Sequence, residues 1–328
     1  PSVWLGASLF AAKLGIPCIW NSPGVPNELP HSYKSIIQSG LKSVDHLAVR
    51  DNFSFSRLCK FNVTNVSVVP DSAMLISEVW PFSKITTSDA RPIVMALTAN
   101  EIIRRPKELK RLFTDLNKLK NFSGEIIILP LMRWQSNIDF TALEAMCPKI
   151  KISRPDENIS LQDCAKLIAN ASAYIGNSLH GFISAVSFGT PAAIVCPSEN
   201  KQATKYLGFC EHLDDGQKFF HKSFDTVMKS IIAQTNQKPS SNLAAKKSVK
   251  KHFEELRLRL TTKINQNLSE QKAEHFAKLK YNVGSNGSGV LSVLTGYEPK
   301  EYFKAIIAEN KKLKLENNNQ NKQVQDLN

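Results

Sequence analysis

The chain of 328 residues lacks any long hydrophobic segment. None of its apolar runs approaches the ~20 residues that a membrane-spanning helix needs. Its first residues also show no basic stretch followed by an apolar core, the pattern of a secretory leader. We therefore expect a cytoplasmic protein, with peripheral contact at the inner membrane surface as an alternative that the basic C-terminal residues leave open.

Cysteine is scarce as well, and its spacing argues against domains that are held together by zinc or by disulfides. The six cysteines lie far apart and form no C-x-x-C pair. Neither a zinc site nor a disulfide framework is therefore indicated, and reduced, buried thiols are the expectation. No D-x-D motif occurs either, so we expect no obligatory metal ion and no cofactor.

Acidic residues are the minority among the charged ones. The chain has 42 Lys and Arg against 29 Asp and Glu, a net charge of +13, and much of the excess follows residue 245. Such a balance suits nucleic acid, an anionic membrane or an anionic substrate. The basic tail has no interleaved aromatic residues and no known nucleic-acid-binding signature, which argues against nucleic acid. The basic tail is therefore expected to form either a solvated helical face or a contact with a membrane surface.

Strands and helices alternate in the first part of the chain. Apolar runs at residues 16–20, 46–49 and 66–69 predict strands separated by helices. A crossover helix needs a strand on either side, yet the chain opens on a helix. Residues 1–80 are therefore interpreted as the C-terminal part of an N-terminal α/β domain whose first strands are missing.

The same alternation restarts after a polar, proline-bearing linker at residues 81–92. It continues through residues 93–235 and predicts a complete doubly wound parallel domain. The pattern includes a short strand near residues 211–213 and a last helix over residues 217–233. Residues 236–328 are predicted to be a basic helical extension that becomes disordered where it is rich in Asn and Gln.

One segment carries more functional information than the rest. In residues 173–197, AYIGNSLHGFISAVSFGTPAAIVCP, a strand runs through Gly-Asn-Ser into a helix that begins beside His180. Ligands of open α/β sheets collect at this carboxyl edge, and the first helical N–H groups attract anions. A histidine there can hold an anion or transfer a proton. The alternative is a structural histidine that caps a turn.

Three motifs follow one another along the chain: AVRDNFSFSRL at residues 48–58, VSVVPDSAMLI at 66–76 and IGNSLHGFISAVSFGTPAAIV at 175–195. Together, followed by Lys201, they resemble the polysaccharide pyruvyl transferase family over roughly residues 3–235. The resemblance implies two Rossmann-like, parallel-sheet domains facing a cleft, as in GT-B proteins. It also implies transfer of a pyruvyl group from phosphoenolpyruvate to a sugar diol of a cell-surface polysaccharide, giving a cyclic ketal.

The expected chemistry selects candidate residues. His180 is expected to be the general acid or a phosphate contact. Arg50 follows a predicted strand and either clamps the donor bidentately or pairs with Asp51 or Asp45. Asp71, after Pro70, is expected to be a turn residue rather than a catalytic carboxylate. The further substrate-binding candidates are Asn177, Ser178, Gly181, Lys201, Arg133 and Gly24.

Some of these candidates have plainer alternatives. Lys201 could be a solvated lysine and Gly24 a simple turn residue. Many family members have arginine where this chain has Ser178, so a cation for the donor is expected from elsewhere.

The expected partners are phosphoenolpyruvate and a glycan or lipid-linked sugar acceptor. A GT-B nucleotide-sugar glycosyltransferase of polysaccharide biosynthesis is one alternative function, which would need a carboxylate pair or base-stacking aromatic residues. A non-catalytic scaffold is the other, and it would need apolar heptads in the C-terminal helices.

Overall fold

The structure, a computed structural model, is of the α/β type. Within the ranges it describes, no helix combines the length and the apolar character needed to cross a membrane. The residues described are 2–14, 16–27, 29, 34–82, 90–97, 102, 104–119, 121–129, 140–156, 158–196, 203–237 and 242–264.

The elements alternate along the chain, as the apolar runs predict. The helices are α1 (Ser2–Lys13), α2 (Lys34–Lys42), α3 (Asn52–Cys59), α4 (Ile76–Val79), α5 (Pro106–Leu116), α6 (Phe140–Met146), α7 (Leu161–Ala169), α8 (Leu179–Phe188), α9 (Ala203–Cys210), α10 (Val227–Thr235) and α11 (Leu243–Ile264). The strands are β1 (Ile19–Trp20), β2 (His46–Val49), β3 (Ser67–Val68), β4 (Arg91–Ala96), β5 (Phe122–Ile128), β6 (Lys151–Ser153), β7 (Ala173–Gly176), β8 (Ala192–Val195) and β9 (Phe220–His221).

The first three strands form a small parallel sheet in the order β1-β2-β3. The central strand β2 is buried along its whole length. Its Leu47 and Val49 pack with Leu41 of α2 and Leu58 of α3 in one apolar cluster. This sheet aligns the ends of β2 and β3, so Arg50 and Asp71 follow neighbouring strands.

The remaining strands form a six-stranded parallel sheet in the order β6-β5-β4-β7-β8-β9. Counted from β4, this is the 3-2-1-4-5-6 order of dinucleotide-binding folds. Strands β7 and β8 are fully buried, as strands with helices on both faces must be. The strand order reverses between β4 and β7, and the crevice at the carboxyl ends of such strands is where ligands bind in these folds.

Two predicted elements at the end of this sheet are wrong. Residues 211–213 form a turn after α9, in which the Leu213 N–H bonds the Cys210 carbonyl. Residues 217–233 are not one helix, because β9 at Phe220–His221 pairs with β8. The Glu108 carboxylate also accepts the Phe224 N–H (3.0 Å). Pairing at the sheet edge and this side-chain cap override the local helical spacing of apolar residues.

The C-terminal helix α11 joins both sheets. Lys246 Nζ donates to Ser77 Oγ and to the Ser187 carbonyl, each at 2.8 Å. Further along the helix, His252 Nε2 lies 3.1 Å from Asn21 Oδ1 at the end of β1. The helix therefore connects α8 of the second sheet with the loops that follow strands of the first.

A buried serine at this junction gives a stability prediction. The Ser187 hydroxyl donates to the Met74 carbonyl (2.7 Å) and accepts the Ser77 N–H (3.3 Å). Ser187→Ala should lower the free energy of unfolding by about 1–3 kcal/mol, because buried polar partners are left unsatisfied. Urea unfolding measures this. Exposed Ser123 gives the matched control, since Ser123→Ala should change stability by less than about 0.5 kcal/mol. Equal stability of both variants would contradict the prediction.

Candidate active site

The histidine segment folds as a strand, a turn and a helix for local reasons. Gly176 ends β7 where a Cβ would lie 2.5 Å from the Ala96 carbonyl oxygen, so only glycine fits against β4. Ser178 caps α8, and Gly189 ends it with φ 72°, the left-handed conformation that glycine adopts readily. His180 is thus held in the first turn of α8, at the carboxyl edge of the sheet.

Two buried tyrosines fix the turn before His180. Tyr206 Oη donates to the Asn177 carbonyl at 2.6 Å, and Tyr174 Oη donates to the Ser178 carbonyl at 3.2 Å. Burial raises the pKa of Tyr174 far above its usual value, so that hydroxyl stays a donor. The Asn177 N–H also bonds the Ala96 carbonyl (2.9 Å). The backbone that carries His180 is therefore held from β4, β7 and α9.

His180 faces a carboxylate from the other sheet. Its Nε2 lies 3.6 Å from Asp71 Oδ2, with the imidazole 74% exposed and the Asp71 side chain 14% exposed. The other oxygen of Asp71 accepts the Ala73 N–H (3.0 Å) and caps the 3₁₀ helix Ser72–Leu75. Asp71 is therefore the turn residue that the sequence predicts, and it is also the partner of His180.

The pair shifts the pKa of both groups. The interaction with Asp71 raises the pKa of His180, outweighing the opposite effect of desolvation. Burial alone would raise the pKa of Asp71, but the interaction with His180 and the hydrogen bond from the Ala73 N–H bring it below its usual value. The pair therefore favours imidazolium beside carboxylate over the uncharged forms, and a protonated histidine can donate a proton.

Arg50 is held at the end of β2. Its Nε pairs with Asp51 Oδ2 at 3.2 Å, so the ion pair expected as an alternative role is formed. Buried Asp51 also caps α3 by accepting the Ser54 N–H (2.6 Å). The Cα of Gly24 packs so closely that an added Cβ would lie 2.5 Å from the guanidinium carbon. A carboxylate and a glycine thus set the direction of this cation.

A lysine from the second sheet completes a charged group at the cleft. Half-buried Lys205, in α9, has its pKa lowered by burial and then by the charge of Arg50. The charges of Arg50 and Lys205 also act on His180. We call Arg50, Asp51, Asp71, His180 and Lys205 the cleft cluster. It joins the carboxyl ends of both sheets and suits an anionic ligand.

The other predicted site residues are placed as follows. The Gly181 N–H donates to Ser178 Oγ (3.4 Å), so it serves the cap of α8. Lys201 and Arg133 lie outside the described residues. Lys205, four residues after Lys201 in the sequence, is a residue of the site that no local pattern distinguishes from the other lysines. In the described part of the chain, no group of three His, Cys, Asp or Glu side chains is placed to hold a metal ion.

Gly24 offers a way to displace Arg50 without removing it. In Gly24→Ala, the new Cβ must push the flexible guanidinium aside, so stability should change by less than about 1 kcal/mol. An anionic ligand of the cleft cluster should then bind about tenfold more weakly, since a misplaced charged hydrogen bond costs that much or more. Calorimetric titration with phosphoenolpyruvate, the donor that the sequence predicts, measures this. The control is Gly6→Ala, where a Cβ meets nothing within 4 Å; equal affinities in the two variants would contradict the placement of Arg50.

Comparison with solved structures identifies the architecture. The UDP-GlcNAc 2-epimerase of Methanocaldococcus jannaschii aligns with a TM-score of 0.50 and 14% identity over 77% of this chain and 74% of that one. A Listeria monocytogenes protein described as a UDP-N-acetylglucosamine 2-epimerase aligns with a TM-score of 0.50 and 12% identity, over 76% of this chain and 72% of that one. These likenesses show the fold, which is GT-B-like as predicted.

Sequence comparison identifies the family. No curated protein matches the chain at a significant level. The family model described as polysaccharide pyruvyl transferase matches residues 1–196. That match includes strands β1 to β8 and all of the cleft cluster except Lys205, and it covers more than half of the chain. The chain therefore belongs to the polysaccharide pyruvyl transferase family and is a transferase.

Proposed function

We propose that the cleft cluster transfers a pyruvyl group from phosphoenolpyruvate to a diol of a cell-surface polysaccharide or its lipid-linked precursor, with His180 as general acid. The observation that carries this proposal is the His180–Asp71 pair, 3.6 Å apart across the two sheets. A protonated histidine beside Arg50 and Lys205 combines a proton donor with cations. Family membership supports the sugar acceptor.

The charges of the cluster match the donor. Phosphoenolpyruvate carries a carboxylate and a phosphate, and it needs cations at both. Arg50 supplies a planar guanidinium, whose geometry suits a carboxylate or phosphate. The N-terminus of α8 adds backbone N–H groups with partial positive charge. A cleft of this kind lowers the barrier by positioning and by electrostatic stabilisation.

The reaction balances with one proton donor. His180 gives its proton to the methylene carbon of the donor, which becomes a methyl group. The central carbon forms bonds to the two sugar oxygens, and its bond to the phosphate oxygen breaks. One hydroxyl proton replaces the proton lost from His180, and the other leaves with the phosphate. The products are the cyclic ketal and inorganic phosphate.

Asp71 supports the proton donor in two ways. Its carboxylate favours the protonated form of His180, so more of the protein holds the acid at neutral pH. Its second oxygen is fixed by the Ala73 N–H, so the carboxylate presents a constant position to the imidazole. The general acid His180 therefore obtains its carboxylate partner only where the two sheets meet.

The place of reaction follows from the acceptor. We propose a cytoplasmic enzyme that reaches lipid-linked sugars by peripheral contact with the inner membrane surface. Lys247, Lys251 and Arg257 are exposed on α11, and basic helices are attracted to anionic lipids.

The test is a transfer assay with purified cell-surface glycans and lipid-linked sugars as acceptors. We expect phosphoenolpyruvate to give phosphate and a pyruvate ketal on the glycan, in equal amounts. UDP-GlcNAc in place of phosphoenolpyruvate should give no product. Release of UDP with a new glycosidic bond would instead identify a glycosyltransferase. If neither phosphoenolpyruvate nor UDP-GlcNAc gives a product with any of the acceptors, that result would support the scaffold role.

A further inference from the structure

Three consecutive residues after β2 each contact the end of α9 or the turn that follows it. One contact is a hydrogen bond to the backbone, one is close packing and one is a hydrogen bond between exposed side chains. The pairs are Arg50 with His212, Asp51 with Gly208 and Asn52 with Glu211. We call these three pairs the α9 contact. It joins the segment that carries Arg50 to the part of the chain that carries His180.

The first pair of the α9 contact is made by the half-buried ring of His212. Its Nε2 lies 2.8 Å from the carbonyl oxygen of Arg50. A carbonyl oxygen only accepts hydrogen bonds, so the hydrogen is on Nε2 in the neutral ring as well as in the charged one. The bond therefore does not depend on the charge of His212, in contrast to the interaction of His180 with Asp71.

The turn that carries His212 is held by its own backbone. The His212 N–H donates to the carbonyl of Phe209 at 3.1 Å. Gly216 packs so closely on the turn that an added Cβ would overlap the carbonyl of Cys210. Phe209 and Cys210 are both buried. The His212 ring is thus presented to Arg50 from a turn that is anchored in the core around the six-stranded sheet.

The guanidinium of Arg50 is oriented only by neighbours from its own sheet. Asp51 pairs with its Nε, and Gly24 packs against its guanidinium carbon. These contacts set the direction of the side chain relative to the three-stranded sheet. His180 belongs to the other sheet, so its distance from the guanidinium depends on where the Arg50 backbone is held. The bond from His212 holds that backbone against the part of the chain that includes His180.

We propose that His212 is a positioning residue, which holds the backbone of Arg50 so that the guanidinium and His180 bind the same anionic donor. Its role requires no contact with the donor. Two groups bind one ligand tightly only if they are already held at the matching separation, because no ordering is then needed on binding. This inference deepens the proposed function and rests on it for the identity of the donor.

The test compares two side chains of nearly equal length at position 212. Glutamine can place an amide N–H near the position of Nε2, whereas methionine has no donor. In calorimetric titrations of the full chain, His212→Met should weaken binding of phosphoenolpyruvate and of inorganic phosphate by roughly tenfold, the effect of misplacing a charged hydrogen bond. His212→Gln should retain most of both affinities.

The matched control makes the same exchange of amide for thioether at an exposed position nearby. Gln217→Met, in the 3₁₀ helix Gly216–Phe219, should leave both affinities unchanged. Thermal unfolding without ligand shows whether each variant is folded. If His212→Met does not fold, His212→Asn replaces it with the same expectation, because its amide is too short to reach the carbonyl of Arg50.

A double variant separates positioning from a general loss of stability. In Gly24→Ala the guanidinium of Arg50 is already displaced. Adding His212→Met should then weaken anion binding by less than about twofold further, because two effects that act through one group do not add. If His212 acted independently of Arg50, the two losses would multiply to about 100-fold.

Equal affinities of folded His212→Met and His212→Gln, or multiplied losses in the double variant, would overturn the inference and leave the proposed function in place. Binding of phosphate without binding of phosphoenolpyruvate by the unaltered protein would overturn the proposed donor instead, and the phosphate titrations would still test His212. Binding of neither anion would overturn the assignment of Arg50 to anion binding, and the role of His212 with it.

Discussion

Replacement of His180 by glutamine is expected to lower kcat for pyruvyl transfer by roughly 10²–10⁴-fold, the usual contribution of a general acid. Glutamine fills a similar volume and still forms hydrogen bonds, but it cannot hold a transferable proton at neutral pH. The imidazole is 74% exposed, so the substitution should alter the melting temperature little. Phosphate release from phosphoenolpyruvate in the presence of an acceptor glycan measures kcat.

The comparison of kcat with donor affinity separates the two roles considered for His180. As a general acid, it should affect kcat far more than the Kd of phosphoenolpyruvate, which we expect to rise by about tenfold at most. As a phosphate contact alone, it would affect the Kd and leave kcat at saturating donor nearly unchanged. The second result, obtained in a folded variant, would contradict the proton-transfer role.

Asp71→Asn should change the pH dependence of the reaction as well as its rate. The interaction with Asp71 raises the pKa of His180, so removing the negative charge should lower that pKa. The acid form is then lost at a lower pH, and the alkaline limb of the kcat profile moves toward acid. At pH values above the pKa of His180, lowering that pKa by one pH unit reduces the protonated fraction of His180 about tenfold. The loss of rate should therefore be largest at alkaline pH and smaller at acidic pH.

Asparagine at position 71 can still accept the Ala73 N–H, so the cap of the 3₁₀ helix should persist. Asp225 gives the matched control, since it pairs with Arg111 at 2.8 Å on the surface and lies outside the cleft cluster. Asp225→Asn should leave the pH profile in place. A profile for Asp71→Asn with an unshifted alkaline limb would show that Asp71 does not set the pKa of His180.

The sequence predicts the parts of the site that are encoded locally. The apolar run of β7, the small residues after it and Gly189 at the end of α8 specify a strand, a turn and a helix within one short segment. His180 could therefore be placed at the carboxyl edge of a strand without a structure. The alternation of strands and helices also predicts the α/β class.

Contacts between distant segments could not be predicted in this way. Asp71 and His180 follow strands of different sheets, and no periodic pattern relates one to the other. Lys205 depends on the rotation of α9, which is set where Gly208 packs on Asp51. The edge strand β9 depends on pairing with β8. Each of these features is decided by tertiary packing, which overrides local preference.

Titration of the unaltered protein with phosphoenolpyruvate, alone and in the presence of saturating UDP-GlcNAc, tests the central claim most directly. We predict that phosphoenolpyruvate binds with an affinity that falls as ionic strength rises, because cations of the cleft cluster hold it. The nucleotide sugar should neither bind nor compete. Binding of UDP-GlcNAc without binding of phosphoenolpyruvate would contradict the assignment of the cleft to pyruvyl transfer.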